Sequence, residues 1–419
     1  MNRRDRGGVF VTTLIMLVAL TIIVSGVARF TRTEFRAQIN RIGQIKAQRN
    51  AEAAIARALA EFSVQTTQAN PGVTAITDPW AVLGNNASER FLVDDGSFRI
   101  QIVDASGYVN INSADQNQLE RMPFSQEQID SLLDWREAGR DPRPEGGKDE
   151  YYNALPVPYN AKLGPFDSVD ELLLVRGFSA RALYRTQDEV VSTATQVQGP
   201  DAIQPVLIDL LTAESTSRNI SPSGQTKLNI NTINQQQMVQ RGLSLQLAQA
   251  IIQRRNTQGT FTEIGAVLGV PGMNPNAART VLDNFATTAA GQSTGLINLN
   301  TAPETVLNTV PNLTPEISAA IVAQQQTGFT SVADLLNISG FSMQLLQSTA
   351  RYFSVQSSSF IVRAVGYAGS SIAVLEAVVA VDQTGARVLK ITSRNNSMPF
   401  QNWAWQSETS SEVDLVVTR

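Results

Sequence analysis

A chain of 419 residues is long enough for two or three domains with real cores. Its net charge is −4 with 17% of residues charged, so no strongly basic surface recommends nucleic acid as a partner. Cysteine and histidine are both absent, which excludes disulfides, thiolate metal sites and every Ser-His-Asp or Cys-His arrangement, while catalysis by carboxylates or lysine stays open.

The first element is Val9 to Ala28, about twenty residues without a charge, preceded by Arg3, Arg4 and Arg6 and followed by Arg29. A helix of that length crosses a bilayer core of about 30 Å. From Arg29 to about Phe62 there is no proline, and Phe35, Ile39 and Ile42 fall on one stripe, as do Ile55, Leu59 and Phe62. One helix of more than fifty residues is predicted, on the order of 80 Å long. Its first half lies in lipid and its second half offers an apolar stripe to a globular body. A cleaved secretory signal ending at Gly26-Val27-Ala28 is the competing reading, but the apolar stretch is long for one and the helical pattern runs on past the site.

Thr66 to Glu89 reads as a connection, and Ser97 to Asp104 alternates polar and apolar residues as a half-buried strand does. The next strand-like runs come much later, at Phe360–Val365, Ile372–Val379 and Val388–Thr392, separated by turn residues. Between them lies a repeat. Its opening occurs as Val109-Asn110-Ile111-Asn112-Ser113, Leu228-Asn229-Ile230-Asn231-Thr232 and Ile297-Asn298-Leu299-Asn300-Thr301. Each opening leads through a helix start and a turn to a second helix. A Phe-containing line and a glycine hairpin follow, with Gly177, Gly272 and Gly340 at the turns.

The N-x-N asparagines are expected to form Asx turns, and Ser113, Thr232 or Thr301 to cap the following helix. The glycines allow a backbone conformation that a Cβ resists. The architecture expected is therefore α+β: a long N-terminal helix packed on a small antiparallel sheet, with a large inserted all-α domain of helix-hairpin-helix repeats. The boundaries drawn are a leader at 1–8, a transmembrane half-helix at 9–28 and the first part of the sheet domain at 29–108. The insertion runs over 109–353, with repeats at 109–192, 227–286 and 295–353 and a linker at 193–226. C-terminal strands at 354–395 and a tail at 396–419 complete the chain.

Helix-hairpin-helix units also grip DNA phosphates through backbone N–H groups. Such hairpins usually carry two glycines with nearby cations. Here Ser179, Asn274 and Ser342 stand at the second glycine, and Leu313 to Met343 has no Lys or Arg, which argues against nucleic acid. The first repeat alone is interrupted by a loop from Asp134 to Tyr152. Its acids Asp134, Asp141, Glu145, Asp149 and Glu150, with Glu137, are hard oxygen donors of the kind Ca²⁺ selects. Arg136, Arg140, Arg143 and Lys148 are equally able to pair with them, which from chemistry alone favours a solvated charged loop over a metal.

Together these features resemble the minor pseudopilin K of bacterial type II secretion systems. The residues that carry the resemblance are Arg6-Gly7-Gly8 before Val9, Thr13 where most pilin types hold Glu, and a long run. That run takes in Leu132-Leu133-Asp134-Trp135, Asp141-Pro142-Arg143-Pro144, Tyr151-Tyr152, Pro158-Tyr159 and Glu171 to Phe178. The resemblance implies a pilin-like fold around the insertion and cleavage by a prepilin peptidase at Gly7, Gly8 and Val9. It implies a single-pass inner-membrane location with the bulk in the periplasm, and a non-enzymatic role at the tip of a pseudopilus. The implied partners are the minor pseudopilins I and J and the major pseudopilin, met along a helix face comprising Thr13, Phe35, Ile39, Ile42, Ile55, Leu59 and Phe62. It also implies Ca²⁺ at the loop, against which stand Lys148 and Gly139, at places where the family commonly has acids. A membrane-tethered DNA receptor is the alternative from another class, and a carboxylate hydrolase using the loop a more distant one.

Overall fold

The computed structural model describes residues 3–65, 72–94, 96–184, 206–397, 399, 402, 403 and 405. The end of the first repeat and the start of the linker, at 185–205, fall outside these residues, as does most of the tail. Helix α1 runs unbroken over Arg3–Gln65, 63 residues, or about 95 Å. A stretch within it starting at Phe10 is long and apolar enough to cross a membrane, with none of it buried among the described residues.

Among the described residues, α1 touches the body only from about Gly43 onward. Ala47, Ala51, Ala54 and Ala58 are fully buried at helical spacing, followed by Phe62. Small residues on this face bring the helix backbone close to the sheet. Strand β3 (Ser359–Ala368) answers with Gly366, where a Cβ would lie 2.0 Å from the carbonyl oxygen of Ala47. Ile55 and Phe62 then fill the core with Phe98, Ile100, Val362, Leu375 and Val379.

The sheet has five antiparallel strands in sequential order: β1 (Phe91–Val93), β2 (Gly96–Asp104), β3, β4 (Ser371–Asp382) and β5 (Gly385–Arg394). Strand β1 is an addition to the strands expected from alternation. Strand β2 pairs directly with β3, in a register that sets Asp104 opposite Phe360 and Ile100 opposite Ala364. Everything between Asp104 and Ser359 thus replaces the turn of a β-hairpin, and the expected insertion between strands is what the chain forms.

The insertion leaves the sheet at one particular end. Gly43 of α1 lies against Ser371, at the β3–β4 turn, whereas the Phe62 and Phe360 rings are 4.5 Å apart. Asp104 and Phe360 therefore sit beside the C-terminal end of α1, far from its apolar half. The face of the sheet turned away from α1 is covered partly by the insertion and partly by the tail. Trp403 and Trp405 are buried there against Val365, Val374 and Ala87, and the Trp405 indole donates to Gln101 at 3.0 Å. The region drawn as a simple tail thus contributes two core side chains.

The three repeats share one polar frame. In each opening the first asparagine accepts from the backbone N–H of the second: Asn110 from Asn112 at 2.9 Å, Asn229 from Asn231 at 2.9 Å, Asn298 from Asn300 at 3.0 Å. These are the Asx turns expected. The second asparagine clamps a distant backbone reciprocally, accepting from N–H and donating to C=O of one phenylalanine: Asn112 with Phe166, Asn231 with Phe261, Asn300 with Phe329. Both main-chain groups of a buried residue are satisfied by one side chain, which locks the Phe-containing line to the opening.

Each unit is then closed by a two-residue parallel pairing. Val109–Asn110 joins Leu211–Thr212, Leu228–Asn229 joins Phe285–Ala286, and Ile297–Asn298 joins Phe353–Ser354. The first of these pairings corrects the sequence reading. Leu211 and Thr212, placed in a linker at 193–226, close the first unit.

The helix caps also differ from expectation. The helices after the openings are capped by Asp115, which accepts from Gln118, and by Asn234 in a capping box with Gln237. In the third unit Pro303 holds that place with no side-chain cap. Ser113 and Thr232 turn back onto the carbonyls of Asn110 and Asn229, and Thr301 bonds Asp104. The glycines do match their expected job: Gly177, Gly272 and Gly340 have φ of +83°, +90° and +83°, a left-handed conformation costly for any side chain.

Candidate functional site

Two surfaces carry the residues that the sequence singles out. On α1, Gly7, Gly8 and Val9 lie in the first turns of the helix. Thr13 donates its hydroxyl to the carbonyl of Phe10 at 2.9 Å, so it is satisfied within its own helix. Phe35, Ile39 and Ile42 are 64%, 52% and 54% exposed, a continuous apolar stripe with no cover among the described residues. Ile55 and Phe62 are buried in the chain's own core and Leu59 is half-buried against it. Those three belong to the helix–sheet contact and are removed from any partner surface.

The second surface is the loop after α2 (Gln126–Arg136). The helix begins with a complete capping box, Ser125 with Gln128. Its far end receives two cations. The Lys148 ammonium, 6% exposed, donates to the carbonyls of Asp134 at 2.5 Å and Glu137 at 2.7 Å. The Arg143 guanidinium reaches Asp134 Oδ1 at 2.8 Å and Glu137 Oε2 at 2.6 Å, while its backbone N–H donates to Asp134 Oδ2 at 3.0 Å. Burial works against charge at Arg143, but Glu137 and Asp134 outweigh it and push the guanidinium up.

The other proposed metal ligands are dispersed or engaged. Asp149 accepts from the N–H of Ala161 at 2.8 Å, and Asp141, Glu145 and Glu150 are exposed. Among the described residues no three acidic side chains converge as they would for a metal ion. Gly146 permits the closure, since a Cβ there would lie 2.0 Å from Asp134 Oδ2. Trp135, Tyr152 and Tyr159 pack edge to face or tilted beneath the loop, and burial pushes the Tyr152 hydroxyl up to about 12. The loop is therefore a closed, internally paired structure with an aromatic floor.

The second hairpin of each unit already uses a donor at its helix N-terminus. Ser179, Asn274 and Ser342 each accept from a backbone N–H of the following helix, at 3.4, 3.0 and 3.1 Å. One of the N–H groups a phosphate would approach is thus taken by a side-chain oxygen in each.

Sequence reasoning missed the junction where the insertion meets the sheet. Asp104, at the end of β2 and 3% exposed, accepts from Ser357 and Thr301 hydroxyls at 2.6 Å each, from Asn298 Nδ2 at 2.9 Å and from the Ser106 N–H at 2.8 Å. Burial raises its pKa above the ordinary carboxylate range, against the pull of those hydrogen bonds. On the sheet's outer face Arg394 binds Glu376 at 2.6 Å and also Asp170 of the first unit. A lone Asp after an alternating strand, and an Arg at the end of another, carry no periodic signal for such contacts.

Comparison with known proteins brings in a family. Residues 112–192 match the family model for type II secretion system protein K, and residues 223–285 and 292–354 each match that for the helix-hairpin-helix motif. Type II secretion system protein K of Klebsiella pneumoniae is 25% identical over 206 residues, which cover 44% of this chain and 61% of that protein. The protein of the same name from Pectobacterium carotovorum subsp. carotovorum is 27% identical over 209 residues, covering 44% and 62%. The match therefore spans about three-fifths of the length of these curated relatives. A chain from the solved GspK–GspI–GspJ complex of the enterotoxigenic Escherichia coli type 2 secretion system superposes with a TM-score of 0.48 at 14% identity, covering 87% of this chain and 99% of that one. Both relatives carry the name of a component of type II secretion systems.

Proposed function

Starting from a chain similar to type II secretion system protein K, we propose that it is a minor pseudopilin that initiates and caps the periplasmic pseudopilus of a type II secretion or related system. In this reading α1 is anchored in the inner membrane as a single pass after prepilin peptidase cleavage between Gly8 and Val9, and the body lies in the periplasm. Its partners are the I- and J-like minor pseudopilins and the major pseudopilin, which meet the exposed stripe of Phe35, Ile39 and Ile42.

The observation that carries this reading is where the insertion leaves the sheet. It emerges beside the C-terminal end of α1, opposite the apolar half of the rod. A subunit so built offers its rod to neighbours below and covers its upper end with a bulky body. Thr13 adds a second argument, because without a carboxylate there the cleaved amine has no anionic partner in its own helix, and an unpaired charge in lipid is costly. A subunit with none above it avoids the need to offer that charge upward.

Labelled copies of the chain, expressed with an overproduced major pseudopilin, test the reading. Label at one end of each filament is the expected result, and label spread along the filament would refute it. Replacing residues 105–358 by a short turn should abolish the restriction to one end.

A further inference from the structure

The loop after α2 brings its own cation, and the way it does so bears on the metal that the family resemblance implies. The C-terminal carbonyls of a helix carry partial negative charge and favour a cation. Here the Lys148 ammonium supplies one, buried and held by the carbonyl oxygens of Asp134 and Glu137. Arg143 takes one carboxylate oxygen of Asp134 and its own backbone N–H the other. Asp130 is used in the same manner, by Gln126 at 2.7 Å and by the N–H of Glu145 at 3.1 Å. Arg176 closes the rim, donating to the carbonyl of Gly146 at 2.8 Å and to Glu127 at 2.7 Å.

Calcium needs six to eight oxygens around one point, several of them carboxylate. In this loop the inward oxygens are already bonded to ammonium, guanidinium and amide donors, and three of the five proposed ligands face solvent. A divalent ion at the carbonyls of Asp134 and Glu137 would stand against a buried positive charge with no route for that charge to leave short of opening the loop. The residues present do not fit the metal.

We propose that Lys148 is the resident cation of this loop, and that the first helical unit folds and holds its shape without a divalent ion. Arg143 neutralises the carboxylates that a metal would otherwise bridge. This holds whether or not the chain caps a pseudopilus, so each idea can fail without the other.

The test is thermal unfolding of the full chain in detergent, in EDTA and in millimolar calcium, with trypsin cleavage in the loop after Arg140 as a second readout. The expected wild-type midpoint is the same in both buffers, and a rise with calcium would overturn the proposal whatever the variants do. Lys148→Met keeps the stem and removes the charge. It should speed cleavage about tenfold, equally in EDTA and calcium, and unchanged cleavage would count against the ammonium. Lys148→Asp restores an acid where the ammonium stood, and its midpoint should rise with calcium. If calcium leaves Lys148→Asp unmoved, Lys148 was not filling the place of a cation and the proposal falls.

Discussion

In the first helical unit the carbonyls of Ile111 and Ala114 are held by the Arg136 guanidinium at 2.6 and 2.7 Å. In the third, the carbonyls of Leu299 and Ala302 at the same places are held by the Gln325 amide at 2.9 and 2.8 Å. The second unit uses Arg255 on Ile230 and Ile233. What stays constant is the Asn–Phe clamp and the two-residue closing pair; what varies is whether the brace is charged. Charge is thus not part of the plan of the unit. The first unit concentrates its ionic groups within the interrupted loop and, through Asp170 and Arg394, at its contact with the sheet. The third is fastened to the sheet by neutral donors around one carboxylate, Asp104.

The comparison breaks most decisively at the clamp. Asn300→Ala should cost ~2–5 kcal/mol in urea unfolding, because it strands the N–H and C=O of Phe329 in a buried site. Asn112→Ala should cost a similar amount. A loss under about 1 kcal/mol for either would mean that water replaces the clamp and the frame is not general.

Next comes the ionic fastening. Arg394→Met should cost about 2–4 kcal/mol and loosen the first unit from the sheet, seen as faster hydrogen exchange at Asp170–Leu174 with the third unit unaffected. Equal exchange in both units would show that they are not separately held.

A subtler effect is pH dependence at the neutral fastening. The folded pKa of Asp104 is raised above its unfolded value, so its contribution to stability is fully present below the unfolded pKa and is lost as pH rises through the folded one. Asp104→Asn should flatten that part of the stability profile. An unchanged profile would show that another group produces it.

The smallest change expected is in the exchange of braces. Arg255→Gln puts the third unit's chemistry into the second and should shift stability by no more than about 1 kcal/mol. A larger loss would make charge part of the plan after all.

How far these features were legible depends on the kind of signal each leaves. The N-x-N openings and the strands around the insertion stand out because repetition and alternation are periodic. The clamp does not, since nothing in the line from Phe166 or Phe329 shows which side chain will bond its backbone. A two-residue pair such as Leu211–Thr212 is too short for any period, so it reads as linker. The stripe of Ala47, Ala51, Ala54 and Ala58 is regular but weakly apolar, and the larger Ile55, Leu59 and Phe62 draw attention to the same face first. The charged loop was ambiguous for a different reason: acids interleaved with bases have the same composition whether they hold a metal or one another, and only coordinates separate the two.

The contact between α1 and the sheet is confined to the segment from about Gly43 to Phe62. Beyond it the rod extends about 50 Å to Phe10, exposed among the described residues. It is therefore a lever with a short, stiff clasp at one end. A rotation of about 10° at the clasp would swing the membrane end by about 9 Å, close to the width of one helix. Because Gly366 leaves no room for a side chain between rod and sheet, the fulcrum is set by backbone against backbone, and a change as slight as Gly366→Ala would redirect the far end of the molecule.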